Sequence, residues 1–297
     1  MERTGLFVLI STIISFFLVS CAGNSHAKTT WYVDDDAPAD FATIQAAIEA
    51  ASDGDTIIVR DGLYTGDGNR DINFDGKAVH LMSENGPDTC IISSGGSAIE
   101  PHRAFIFSTG EDSSSAIDGF TIADGYVDGV SDMSRSGGAI YCFGASPTII
   151  SNRITRNHAE FGAGVYCNLS SSRIVGNTIF LNDAGDLAGA IRAYESDLVI
   201  LNNVIVGNTA SDRGGGGVHC RSSDAVIGNN VIAHNEAIKN GGGIKCSAAS
   251  PTVANNTIVA NSAGDFGGGL MAEESSLPTV TVMLQTELDF SPVCVSM

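Results

Sequence analysis

Lys and Arg make up only 15 of 297 residues, yet several of them recur in phase. The position before each Cys or Ala that closes a Gly-rich segment reads Tyr141, Tyr166, Arg192, His219, Lys245 and Met271. Two residues later the column reads Phe143, Asn168, Tyr194, Arg221, Ser247 and Glu273. Cations next to aromatics suit an anionic sugar polymer, the charge attracting the chain and the rings receiving its apolar faces. The corresponding chemistry is β-elimination from a uronate. A base removes the proton beside the carboxylate, and positive charge stabilises the enolate-like intermediate. Lys245, Arg221 or Arg192 would serve as base or clamp and His219 as proton donor, with Tyr141, Phe143, Tyr166 and Tyr194 as the sugar platform. Hydrolysis needs two carboxylates about 5–10 Å apart, and this strip offers only Glu273. The plainer alternative is that outward strand positions simply favour Tyr, Arg and Lys.

These positions are in phase because the chain repeats. TIISNRITRNHA from Thr148, SRIVGNTIFLNDA from Ser172, LVILNNVIVGNTA from Leu198, AVIGNNVIAHNEA from Ala225 and PTVANNTIVANSA from Pro251 share Asn-x-Ile-x-x-Asn-x-Ala. The first Asn falls at 152, 177, 203, 230 and 256, and the second at 157, 182, 208, 235 and 261. The Gly-rich segments keep the same steps, which identifies a period of about 26 residues. Short alternating apolar stretches broken by Gly, Asn and Ser signal strands and turns, with no helix-length segment between them. Three short strands and three turns fill one such period, so each copy closes a coil that pairs in parallel with the next. Parallel crossovers are nearly always right-handed. The expected fold is all-β: a right-handed single-stranded parallel β-helix with a short N-terminal capping helix. The asparagines would form ladders at the bends, each amide donating to one neighbouring coil and accepting from the other.

With these motifs in view, the chain resembles right-handed parallel β-helix repeat proteins of the pectate-lyase-like superfamily, of the bacterial exported type, over about residues 31–272. Outside the repeat the resemblance rests on WYVDDDAPADFATIQAAIEAASDGDTIIVRDGLYTG (Trp31–Gly66), GKAVHLMSENGPDTCI (Gly76–Ile91) and AFIFSTGEDSSSAIDGFTIADG (Ala104–Gly125). It implies a polysaccharide-related role, with lyase activity or a non-catalytic surface or adhesion module as the two forms. It also implies Ca²⁺ recruitment through carboxylates. The acidic turn residues Glu160, Asp183, Asp186, Asp212, Glu236 and Asp265, and the run Asp34-Asp35-Asp36, are where one would look. No other cofactor is evident, and the resemblance transfers no catalytic residue.

The expected organisation is a signal and linker over 1–27, an N-terminal cap with first strands over 28–70, coils over 71–277 that become regular from about 137, and an irregular tail over 278–297. Within the cap, Ile44, Ala47, Ile48 and Ala51 share one helical face between Phe41 and Ser52. A loop over Tyr126–Ser136 is inserted before the regular array. Leu6–Ser20 is too short to span a bilayer and fits the apolar core of an export signal. Leu18-Val19-Ser20-Cys21 resembles a lipobox with Cys21 lipidated, and Ser25-His26-Ala27 offers ordinary cleavage instead. Export to the cell envelope or beyond is expected, with membrane contact only through that lipid. A net charge of −19 excludes sequence-independent nucleic-acid binding. Stacking sets Cys142 beside Cys167 and Cys220 beside Cys246, slightly too far apart for easy disulfides, so thiol stacks are favoured over bridges. The last coil breaks off after Ser275–Val280, and an open strand edge there would invite self-association.

Overall fold

The computed structural model describes residues 27–284 and 294–295; Cys21 and the apolar leader lie outside them. Every pairing between the described strands is parallel and joins one coil to the next, for example Ile149 to Ile174, Ile174 to Ile200 and Ile200 to Ile227. Among the described residues the strands form three sheets, of 17, 9 and 6 strands, the smallest running only from Tyr126–Val127 to Ser262–Ala263. The broad sheet takes two strands from each regular coil, such as Val199–Leu201 and Val204–Val206. The narrow sheet stacks Ala159, Ala184, Ala210, Ala237 and Ala263. The third sheet contains Ile140–Phe143, Val165–Asn168, Ile191–Tyr194, Val218–Arg221, Ile244–Ser247 and Leu270–Glu273.

Alternation drives the inward set into a single core. Ile149, Ile174, Ile200 and Ile227 are fully buried, as are Ile154, Ile179, Ile205 and Ile232. Each such side chain contributes about 1.5–3 kcal/mol. Both asparagine columns form continuous ladders at the bends. Asn177 Nδ2 donates to Asn203 Oδ1 at 3.1 Å and Asn203 Nδ2 to Asn230 Oδ1 at 3.0 Å. The same oxygens accept the backbone N–H of the preceding coil's Asn, at 2.9 Å from Asn177 and 2.8 Å from Asn203. Each Nδ2 also reaches an inner carbonyl, as from Asn203 to Ile174 O at 2.9 Å. The buried amides at these two bends are thereby satisfied.

Helix α1 (Ile44–Ala50) is capped by the Thr43 side chain and buries Ile44, Ala47 and Ile48. It forms the N-terminal lid on the core, shorter than Phe41–Ser52 because Ala51 is already extended. The inserted segment is more ordered than a loop. Strand Tyr126–Val127 joins the narrow sheet, and a one-turn helix α2 (Asp132–Arg135) follows, held by a capping box between Ser131 and Ser134. At the far end Thr279–Leu284 pairs with Thr252–Val259, and Cys294–Val295 pairs with Met271 and Ala272. The ladder thus runs past residue 277, where the repeat in the sequence stops. Cys142 pairs in register with Cys167 and Cys220 with Cys246, all four buried free thiols.

Candidate functional site

The third sheet sets Tyr141, Tyr166, Arg192, His219, Lys245 and Met271 in one register column. They point away from the core, as alternation requires, but they do not face open solvent. Arg192 is 8% exposed, His219 1% and Lys245 5%. The cover comes from the turn leading into each strand. Gly162, at φ 58°, lies against Tyr166 and Arg192: a Cβ there would stand 3.1 Å from the Cβ of each. Gly215, at φ 78°, stands in the same way 2.8 Å from the His219 Cβ. Glycine is favoured at such a turn, and the coil of Arg192 makes the same turn with Ala188 at φ 65°. The residues just before these turns, Phe161, Leu187 and Arg213, fold back over the strip. Phe161 and Leu187 are register partners and pack with Tyr141 and Tyr166 in a small apolar cluster.

Between strip and turns lies a cavity of about 270 Å³ whose lining includes Arg135, Arg192, Arg213, Arg221, Tyr166 and Tyr194. Phe161 sits at its centre, its ring 4.3 Å from the Arg192 guanidinium carbon, 4.6 Å from that of Arg135 and 6.0 Å from that of Arg213. Three of the four guanidinium groups have carboxylate partners. Arg135 bonds Asp132 at 2.8 Å, Arg213 chelates Asp186, with Nε 2.7 Å from Oδ1, and Arg221 lies 3.6 Å from Glu274. Arg192 has none among the described residues, and its buried Nε and Nη1 have no hydrogen-bond partner there. Burial presses its pKa down to about 10. A desolvated, unpaired cation is costly on its own, and its natural complement is an anion. Burial also lifts the Tyr166 phenol to about 12 and keeps it neutral.

The cavity unites four of the residues expected from sequence, Arg192, Arg221, Tyr166 and Tyr194, and leaves the other four off its lining. Tyr141 stacks flat on Tyr166, ring centroids 5.6 Å apart, beneath the guanidinium of Arg103. Phe143 is exposed at the strand end. Lys245 donates to Arg213 O at 2.8 Å and pairs with Glu273 at 3.0 Å, so its ammonium is already engaged. His219 Nε2 lies 3.1 Å from Ser247 Oγ, whose hydroxyl donates to Glu273 at 2.9 Å. The Ser247 oxygen therefore accepts from Nε2, leaving Nδ1 as the unprotonated nitrogen, without a partner. Burial, together with Arg192, Lys245, Arg221 and Arg213, holds the imidazole pKa well below its usual value. His219 is thus neutral at pH 7, with its one ring proton on Nε2 and engaged by Ser247.

Arg135 and Arg213 escaped the sequence reading. Arg213 precedes a glycine run, as Phe161 does, and aligning the residues before those runs would have found it. Arg135 lies in the insertion, outside any register. It is delivered to the cavity by Arg103, which donates to Met133 O at 2.6 Å and Ser136 O at 2.9 Å and so clasps α2 at both ends.

Calcium does not fit this lining. The nearby turn carboxylates are already held by cations: Asp186 by Arg213, Asp212 by Lys239 and Glu160 by Arg135 at 3.7 Å. Four guanidinium groups around the cavity would repel a dication. Among the described residues Asp34, Asp35 and Asp36 bring their carboxylates within 4.8 Å of one another, but Asp34 is paired with Arg60.

A parallel solenoid of stacked coils, with an arginine-lined pocket on one sheet, defines a β-helix protein. The family described as "right handed beta helix region" matches residues 131–282, and the chain belongs to that family. The turn of the solenoid is accordingly right-handed. No curated protein matches the sequence. Among solved structures the chain is similar to an alginate lyase from Paenibacillus sp. str. FPU-7, with 16% identity, a TM-score of 0.36, and coverage of 86% of this chain and 95% of that one.

Proposed function

We propose that this chain is an exported binding protein for anionic polysaccharide, and that a uronate carboxylate occupies the slot beside Arg192. The observation that carries the reading is the Arg192 guanidinium itself, more than nine-tenths buried, with no carboxylate partner and with Nε and Nη1 unsatisfied in a cavity of cations. A carboxylate would supply the missing charge and acceptors in one planar group, while the half-buried Tyr194 offers a ring to the sugar face. Isothermal titration with polyuronate oligomers and with a neutral glucan of equal length tests this. Carboxylated ligands should bind with an affinity that falls as salt rises, and Arg192→Gln should abolish it. Equal binding of the neutral glucan, or full binding by Arg192→Gln, would refute the reading.

One observation favours turnover as a second reading. The unpartnered Nδ1 of a neutral His219 lies in the strand next to Arg192 and in the same strand as Arg221. In β-elimination it would take the proton beside the carboxylate while the arginines hold the enolate. The slot wall itself offers no free base, since Asp132 is committed to Arg135, which is why binding ranks first. Elimination leaves a conjugated unsaturated uronate that absorbs in the ultraviolet. Growth of that absorbance, lost in His219→Ala with binding retained, would establish the lyase. Binding with a flat trace would leave the module.

A further inference from the structure

The column of Phe143, Asn168, Tyr194, Arg221, Ser247 and Glu273 leads away from the arginine slot in two directions, and the two differ. Beyond Arg221 it closes. Ser247 is buried, and Glu273 accepts from its hydroxyl at 2.9 Å and pairs with Lys245. Glu274 lies 3.6 Å from Arg221, so this end is occupied by paired carboxylates. Beyond Tyr194 the column stays open. Asn168 follows Tyr194 in register, and Phe143 follows Asn168. Phe143 is 43% exposed. Asn168 is half-buried, and its Oδ1 has no hydrogen-bond partner among the described residues. An aromatic ring beside an unsatisfied acceptor suits a sugar, the ring receiving its C–H face and the oxygen one of its hydroxyls. Tyr194, Asn168 and Phe143 are uncharged, and the exposed residues that follow them in the chain are Glu195, Leu169 and Gly144.

We propose that Phe143 and Asn168 form a second subsite, for a neutral sugar, so that the ligand is a polysaccharide in which a uronate is linked to an uncharged residue. The inference rests on the carboxylate reading of the Arg192 slot. With one carboxylate held there, the next ring along the open direction meets the Asn168 amide and then Phe143, two rungs or about 10 Å beyond Tyr194. A carboxylate on that ring would find no cation. Arg221 is three rungs from Phe143, about 14 Å, which exceeds the screening length of about 8 Å at physiological salt. The charge it would meet is Glu195, whose carboxylate stands at the Tyr194 phenol and lifts its pKa. Like charges repel there. A neutral ring meets no such penalty and lays its apolar face on Phe143. The slot thus selects for charge and the neighbouring subsite against it, and a run of consecutive uronates satisfies the first while straining the second.

Isothermal titration of the full chain with oligomers that alternate galacturonate and rhamnose, and with oligogalacturonates of equal length, tests the subsite. The alternating series should bind about fivefold tighter, although it carries fewer charges. Phe143→Ala should erase that preference with the circular dichroism unchanged, because the ring is exposed. Phe143→Lys supplies the missing cation and should reverse the preference. Oligogalacturonates that bind the wild type as tightly as the alternating series, or more tightly, overturn the inference and leave the carboxylate reading of Arg192 in place. A preference that survives Phe143→Ala overturns it as well, by placing the neutral sugar elsewhere. If neither series binds, nor galacturonate alone, the carboxylate reading fails and the subsite falls with it.

Discussion

If Arg192 is kept for a ligand, the folded protein without that ligand should be better off without it. Burial holds its pKa well below the usual arginine value, at about 10, which corresponds to about 3 kcal/mol against the charged form at neutral pH. Two buried donors without acceptors account for a loss of that order, at about 1–3 kcal/mol each. The contact of the guanidinium with Phe161 at 4.3 Å returns about 1 kcal/mol. Methionine keeps a flexible unbranched stem under Phe161 and removes the charge. Arg192→Met should therefore stabilise the free protein by about 1–3 kcal/mol, a rise in Tm of about 2–5 °C for a chain of this size. The sign of the pH dependence follows. The unfolded chain holds the Arg192 proton more tightly than the native one, so the wild-type penalty is complete below pH 10 and fades over the interval above it. The gap between variant and wild type should narrow across that interval. Calorimetry with and without a polyuronate oligomer provides the assay. The ligand should raise the wild-type Tm and leave that of Arg192→Met unmoved. A variant less stable than wild type by 1 kcal/mol or more would show that the guanidinium is a structural support, and the binding argument would lose its foundation.

The other expectations concern the scaffold. Asn203→Ala removes the acceptor of Asn177 N and Nδ2 and the donor to Ile174 O and Asn230 Oδ1, so urea unfolding should show a loss of about 3–5 kcal/mol. A loss under 1 kcal/mol would deny the ladder its role. His219 is neutral and buried in the folded state while the unfolded chain protonates near pH 6.5. Stability from this group is thus present above that pH and falls by about 1.4 kcal/mol per unit below it. Subtracting the same titration of His219→Gln isolates the effect, and parallel curves would contradict it. Burial raises the thiols of Cys142 and Cys220 well above their usual pKa. An aromatic disulfide reagent should therefore leave both unreacted in native protein at pH 8 and modify them on unfolding, and rapid native labelling would place them nearer solvent.

The coil was legible because its determinants are local letters at a fixed spacing. Asn177 and Asn203 are 26 positions apart in the text and 2.9 Å apart in the fold, and no property of the intervening residues was needed to see it. Alternation likewise assigned Ile140 and Cys142 to the core and Tyr141 to the other side. It was silent on what lies above the other side, because period-two reasoning describes a strand and not the turn that returns over it. That is why Lys245 and His219 looked like available side chains. In the fold Gly241 stands against the Lys245 stem as Gly215 stands against His219, and the polar ends find partners in Arg213 O, Ser247 and Glu273. Such pairings cross two or three coils and depend on side-chain reach, which spacing does not encode.

The distribution of charge along the strip then acquires a physical logic. Once the glycine turns cover the column, every cation in it must be neutralised or must wait for a partner. Lys245 is neutralised by Glu273, and Arg213 in the covering turn by Asp186. His219 avoids the problem by staying uncharged. Only Arg192 is left, and it lies where Arg135 and Arg213 approach the same aromatic ring. A sequence selected for stability alone would place an uncharged side chain there, as the last coil of the column does with Met271. Among the charged groups of the column, Arg192 alone lacks a carboxylate partner among the described residues, and it faces the cavity, which is the feature the proposed carboxylate site rests on.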